Sequence, residues 1–316
     1  MKLFKLFYLF IIIAFLSSEL AYSQCGCLGG AAVGGLTPIG GTANVGLLRE
    51  DYFRASLFYS YAYGDKFFSG DEPATKDIEQ QYRNVSHYST HFSSLLLGYG
   101  ITENLTLEVE LGYFPQKLQD YGTKDETGSG LSHASFYGKY NLYNSIVNEL
   151  EFTIGAGLKL PLDIQKENIP QHVKASTGAY GVSFQAFLHK GFKANDIHLF
   201  LINRTDYNFE NKNEYQYGST INTSFYITKG ILKSLTGILE IRNEIRMKDK
   251  FKSEYQEDAG MFTGGYFFHF APQLNYTIGQ FNFSVLFDYP IFQYYYGHQL
   301  GNNYSIGLNV SWLTKF

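Results

Sequence analysis

Cysteine is nearly missing from this chain: 316 residues hold two, Cys25 and Cys27, too few for a disulfide framework or a four-thiolate zinc site. Long apolar runs are missing too. Only residues 6–16 form one, which excludes a membrane protein built from several spanning helices. There is no basic surplus: 25 Lys and Arg stand against 29 Asp and Glu, so the formal charge of -4 excludes nucleic-acid binding by general basicity. No G-x-S-x-G, H-E-x-x-H, P-loop or dinucleotide fingerprint occurs. Proline is sparse at seven, whereas 27 Tyr, 28 Phe and 32 Gly are abundant. An apolar share of 45% argues against disorder. Aromatics and glycine without proline are the balance of a large β protein with one wet face and one greasy face.

The first residues predict export. Lys2 and Lys5 precede the apolar run Leu6–Leu16, which is short for a membrane span, and Ala21-Tyr22-Ser23 supplies small residues for cleavage before Gln24. A lipoprotein signal would need a small residue directly before Cys25, where Gln24 stands. The expected organisation is a signal peptide over 1–23, a glycine-rich segment over 24–51 and one barrel domain over 52–316. The mature chain then enters an oxidising compartment. Residues 24–51 do not alternate and are either a periplasmic leader or a plug folded into a lumen.

From Tyr52 onward, segments of about ten residues alternate apolar and polar side chains. Phe53, Ala55, Leu57, Tyr59 and Tyr61 alternate with Arg54, Ser56 and Ser60, while Leu107, Val109, Leu111 and Tyr113 alternate with Thr106, Glu108, Glu110 and Gly112. A period of two is that of a strand with one apolar face. Breaks of a few residues, as at 102–104 and 279–280, alternate with long charged ones at 64–90, 115–132, 161–177, 248–265 and 290–302. This predicts an all-β, transmembrane antiparallel barrel of about twelve strands, within a range of about 10–14, in a Gram-negative outer membrane. The facing of FSSLLLGYGI in the second strand is open, because both phases are apolar. A soluble sandwich is disfavoured by the export signal and the aromatic surplus. Tyr304, Ile306, Leu308, Val310, Trp312 and Phe316 share one phase, and a strand closing on an aromatic residue is expected to be read by the barrel assembly machinery.

Several segments in order resemble one transporter family. GSGLSHASFYGKY through Tyr140, GAGLKLP through Pro161, STGAYGVSFQAF from Ser176, and FAPQLNYTIG with YPIFQYYYGHQLGNNYSIGL match its strands and last two hairpins. The pattern over 130–316 resembles the outer-membrane transporter family named for the meta-pathway of phenol degradation, distantly related to FadL-type channels. It departs at Asp163, where that family has Gly, and at His133, where it has Asp. The resemblance implies a barrel channel and favours the plug reading of the N-terminal segment.

Candidate site residues lie on the polar phase: Arg54, Glu108, Glu110, Lys139, Glu151, Lys159, Arg204, Asp206, Glu240, Arg242, Glu244 and Arg246. Facing lipid, each Arg or Lys would cost about 2–4 kcal/mol at the midplane, so the set is expected inside. It is either a selective conduit or a mutually paired lattice that fills the barrel. Glu240 to Arg246 are expected to line a constriction. Cys25 and Cys27 are a candidate soft-metal pair, with His189 and His198 as further ligands across one turn. His133 and Ser135 share a face without the approach of a nucleophile and its base, and His87 and His91 read as rim residues. The function expected is passive passage of small hydrophobic or aromatic solutes, without cofactor or nucleic acid; the partners are outer-membrane lipid, the assembly machinery and the solute. The alternatives are a structural or adhesive barrel with a closed lumen and a lipid-modifying barrel enzyme.

Overall fold

A computed structural model describes residues 47–75, 85–162, 169–170, 173–251 and 263–316. Twelve long strands close into one antiparallel barrel: β1 (Tyr52–Gly64), β2 (His87–Thr102), β3 (Leu105–Asp120), β4 (Asp125–Ser145), β5 (Leu150–Pro161), β6 (Gly181–Phe192), β7 (Ile197–Asn208), β8 (Thr220–Leu232), β9 (Leu235–Arg246), β10 (Gly265–Ile278), β11 (Phe281–Tyr295) and β12 (Tyr304–Lys315). Each strand pairs with its sequence neighbours, and β12 closes on β1 from Tyr52↔Lys315 to Tyr63↔Tyr304. Closure leaves no unpaired edge, which is what lets a sheet cross hydrocarbon. Among the described residues no helix is long and apolar enough to cross a membrane. The signal peptide and both cysteines lie outside the described residues.

Alternation fixes the two faces. Leu57, Leu107, Phe136, Leu158, Phe184, Ile241 and Phe283 point outward and are exposed, whereas Ser56, Glu108, Ser135, Ser183, Arg242 and Ser284 point inward and are buried. Aromatic residues cluster at both rims. On the short-turn side Phe53 packs edge-on against Trp312 and Phe316, at 6.1 and 5.7 Å, and Trp312 Nε1 donates to Gln280 Oε1 at 2.9 Å. On the other side Tyr61, Tyr63 and Tyr304 pack with His91 and His87; Tyr59 Oη and His91 Nδ1 are 2.7 Å apart, and His87 Nδ1 pairs with Asp120 at 3.0 Å.

The expected long loop over 115–132 is instead a tall hairpin, because β3 runs to Asp120 and β4 begins at Asp125. Register shifts between Phe114 and Lys117, and at His133, add residues to one strand and reverse the phase. The alternation breaks there although the pairing continues. The loop expected from 290 likewise begins only after Tyr295: Pro290 sits at a bulge opposite His269, one of the places a strand accepts proline. β2 faces Leu95, Leu97 and Tyr99 outward and Phe92, Ser94, Gly98 and Gly100 inward. Outside the barrel wall, strands 67–69, 72–73 and 298–300 form a small sheet over Phe67, Tyr88 and Leu300 on the long-loop side.

Candidate functional site

The lumen wall is largely polar with two apolar patches, and the lumen contains backbone as well as side chains. All eleven predicted pore-lining residues, with Asp206, take the inward phase of their strands. β9 and β3 lie six steps apart around the ring in either direction, so their charges face each other across it.

On the β9 side, Arg242 Nη1 donates to Glu240 Oε1 at 3.3 Å and Nη2 to Asp288 Oδ2, while His269 Nδ1 and Asp288 Oδ1 are 2.8 Å apart. Ser224 Oγ and Gln273 Nε2 donate to the Glu240 carboxylate at 2.8 and 3.1 Å. Arg246 Nε donates to Glu244 Oε1. Arg242, Glu240 and Glu244 are each 1% exposed, so these charges are satisfied by the wall and shielded from bulk water.

The rest of the wall, from β7 through β3 to β1, carries further networks. Glu108 lies between Arg54 Nη2 at 2.6 Å and Lys139 Nζ at 2.8 Å. Glu110, one inward position further along β3, is buried beside Ser94. Arg204 Nε donates to Asp206 Oδ2 at 3.0 Å and its Nη2 to Tyr137 Oη at 2.7 Å, with the guanidinium 5.2 Å from the Tyr137 ring centre. Ser183 Oγ donates to Asp206, and Lys159 Nζ to Asn208 Oδ1. Glu151 accepts from Thr153 Oγ1 at 3.0 Å.

Two pieces of chain enter the lumen. At the short-turn end, Leu48 N donates to Thr106 Oγ1 at 2.8 Å and the same hydroxyl donates to the Leu48 carbonyl at 3.3 Å; Leu47 and Leu48 are both buried. A Cβ on Gly100 would lie 2.0 Å from the Arg49 carbonyl oxygen, so glycine is needed there to let the backbone pass. From the long-loop end, residues 173–179 fold inward. Lys117 Nζ holds the Lys174 carbonyl at 2.9 Å and Asn211 Nδ2 the Thr177 carbonyl at 2.9 Å. A Cβ on Gly128 would come within 1.9 Å of the Val173 carbonyl oxygen. Ala175 then packs with Phe58, Phe92, Phe114, Ala271 and Leu286, which project from five strands.

A second apolar patch, Phe187, Phe200, Tyr226 and Ile238, covers the wall of β6 to β9 nearer the short turns. His189 Nε2 and His198 Nδ1 are 3.0 Å apart beside it, hydrogen-bonded to each other. Among the described residues no group of three or more His, Cys, Asp and Glu is placed to hold a metal ion. His133 Nδ1 bonds Ser132 Oγ at 3.0 Å.

Asp288 and His269 belong to the β9 network but are missing from the charges named in the sequence. Their signal was an inward phase among aromatics, Phe287-Asp288-Tyr289 and Phe268-His269-Phe270. The inserted segment has no periodic signature, only the small residues of Ala175-Ser176-Thr177-Gly178-Ala179.

No protein-family model matches the sequence, and no curated protein sequence does. Among solved structures, an outer-membrane channel from Pseudomonas putida F1 superposes with a TM-score of 0.68 at 10% identity, covering 84% of this chain and 97% of that one. The KdgM porin gives 0.42 at 12% identity over 81% and 98%, a likeness too loose to carry an argument. The first comparison shows a shared fold. With the apolar exterior and the closed wall, it places this chain in the bacterial outer membrane as a twelve-stranded barrel.

Proposed function

We propose that the protein is a passive channel for small solutes, with an opening set by inserted chain and not by the wall. One observation carries this reading: the lumen admits backbone at both ends, at Leu47–Leu48 and at 173–179. A barrel filled by its own side chains would have no such room. In this reading residues 24–46 continue from Leu47 into the short-turn mouth as a plug. The resemblance to FadL-type channels supports that placement.

The lumenal phenylalanines Phe58, Phe92 and Phe114 and the Phe187 patch favour solutes with aromatic or other apolar surface. In this reading the partly exposed candidates Arg54, Lys139, Lys159, Arg204 and Asp206 line the path, while Glu240, Arg242 and Glu244, like Glu108 and Glu110, are held within the wall. The competing reading, a shut structural barrel, draws on the near-complete burial of Arg242, Glu240 and Glu244. Single-channel recording in planar bilayers separates the two. Discrete conductance is expected, and Lys159→Glu should move the reversal potential toward cations because a cation beside Asn208 becomes an anion. Purified, inserted barrel without conductance would overturn the channel reading. An unchanged reversal potential in an open variant would remove Lys159 from the path.

A further inference from the structure

A solute in a lumen meets the charges that are exposed there, and these differ from the charges the wall contains. Three neighbouring inward rows of register partners hold most of the candidate charges. Lys139, Arg204 and Glu244 share the row nearest the short turns. Arg54, Glu108, Asp206 and Arg246 share the next. Glu110 and Lys159 share the third. Signs are nearly balanced, but exposure is not. The side chains of Arg54, Lys139, Arg204 and Arg246 keep between 11 and 18% of their surface, and Lys159 is also partly exposed. Glu108, Glu110 and Glu244 are buried. Asp206 is the one partly exposed carboxylate of these rows, and Arg204 and Ser183 both donate to it.

Lys159 differs from the other four cations. Arg54 and Lys139 share Glu108, Arg204 holds Asp206 and Arg246 holds Glu244. Lys159 Nζ donates to the neutral Asn208 Oδ1, and among the described residues no carboxylate lies within ion-pair distance of it. Its stem crosses Gly181 of the next strand, where a Cβ would lie 3.1 Å from Lys159 Cε. Glycine at that position lets the side chain run along the wall and not across the lumen.

We propose that the solutes this lumen takes are organic anions, and that Lys159 is the group that meets their carboxylate. The proposal rests on the channel reading and adds a charge to its substrate class: an aromatic or other apolar body carrying one carboxylate. An ammonium has three donors, and an amide oxygen occupies one of those on Lys159. An arriving carboxylate gains a charge-assisted hydrogen bond there without displacing another carboxylate. The exposed cations of the neighbouring rows hold the same sign along the path, as in pores that pass anions. A cationic solute meets the reverse, because the carboxylates that would attract it are buried or already paired.

The test uses the full chain in two settings. In lipid nanodiscs, titration calorimetry compares benzoate, benzamide and benzylammonium, which share a ring and differ in charge, with empty nanodiscs subtracted. Benzoate should bind at least about tenfold more tightly than the other two. Lys159→Gln should remove that margin, and Lys159→Arg, which keeps the charge, should retain it. Lys124→Gln, at an exposed cation on the outer hairpin, should leave it unchanged. In planar bilayers, a gradient of potassium benzoate should give a reversal potential on the benzoate side, and Lys159→Gln should shift it toward potassium. A conducting channel that favours potassium, or equal affinity for the three ring compounds, would overturn the proposal and leave the channel reading in place. Benzoate binding that Lys159→Gln abolishes, in a barrel without conductance, would support the anion site and overturn the channel reading. Benzoate binding that survives Lys159→Gln would overturn the assignment to Lys159. Should Lys159→Gln lose the heat-modifiable mobility of a folded barrel, the comparison of the three compounds on the wild type still decides the solute class.

Discussion

Replacing Arg242 with Met asks whether the β9 wall is dry. The guanidinium sits between Glu240 and Asp288, and 1% of the residue is exposed. Removing it leaves Glu240 with Ser224 and Gln273, and Asp288 with His269, but neither carboxylate keeps a full cationic neighbour of comparable strength. Deleting one partner of a buried ion pair costs about 3–5 kcal/mol, because the other charge stays buried and uncompensated. The same pair in a water-filled pore would be worth about 0–1 kcal/mol. The two environments therefore differ by more than the measurement error. Reversible urea unfolding in lipid vesicles, followed through the single Trp312, should show a loss in the upper range. A companion variant, Arg242→Met with Glu240→Gln and Asp288→Asn, removes the stranded charges and should recover most of it, so the three changes are far from additive. A loss below about 1 kcal/mol for the single variant would refute the dry wall. A triple variant as unstable as the single one would assign the cost to packing.

Gly100→Val should displace Leu48 and Arg49 from the short-turn mouth, because the new Cβ would lie 2.0 Å from the Arg49 carbonyl oxygen and backbone cannot rotate away. Under the proposed plug, conductance should rise and Cys25 and Cys27 should label faster in the folded barrel; unchanged labelling and conductance would refute the plug. Phe316→Ser removes the ring that packs on Phe53 at 5.7 Å and is expected to reduce outer-membrane insertion, measured as the heat-modifiable fraction in membranes. Wild-type surface levels would contradict a role for Phe316 in assembly.

Strand faces were legible wherever the alternation ran without interruption, because a period of two states which side chain meets lipid. β9 is the clear case: Ile241 and Ile245 outward, Arg242 and Glu244 inward. The reading stopped at bulges. Phe114 and Lys117 both point inward although three positions separate them, so the tall β3–β4 hairpin looked like loop. β2 was ambiguous for a different reason. Its inward Gly98 and Gly100 make room for Leu48 and Arg49, and a residue chosen for what it omits carries no polarity signal. The pairs within one strand, Arg242 with Glu240, Arg246 with Glu244 and Arg204 with Asp206, follow from the shared inward phase. The pairs between strands were not legible: Glu108 to Lys139 and Arg242 to Asp288 each depend on register, which is set by turns, bulges and closure together.

Wall and filling answer to different physics, which makes their contributions separable. Strand number sets circumference, so a twelve-stranded wall has a perimeter that side chains line and a centre that they do not fill. The perimeter must neutralise whatever charges it carries, and here it does so locally. Arg242 binds carboxylates on its own strand and two strands away, and Glu108 finds cations on β1 and β4. None of those bonds reaches across the lumen. The space inside is entered by 173–179 from the long-loop end and by Leu47–Leu48 from the other, and hydrogen bonds and small apolar contacts join both to the wall. Perturbing the wall should therefore change stability and leave conductance nearly as it was. Perturbing the filling should change conductance at little cost in stability. The Arg242 and Gly100 variants sit on opposite sides of that division, and measuring both quantities on both proteins tests it directly.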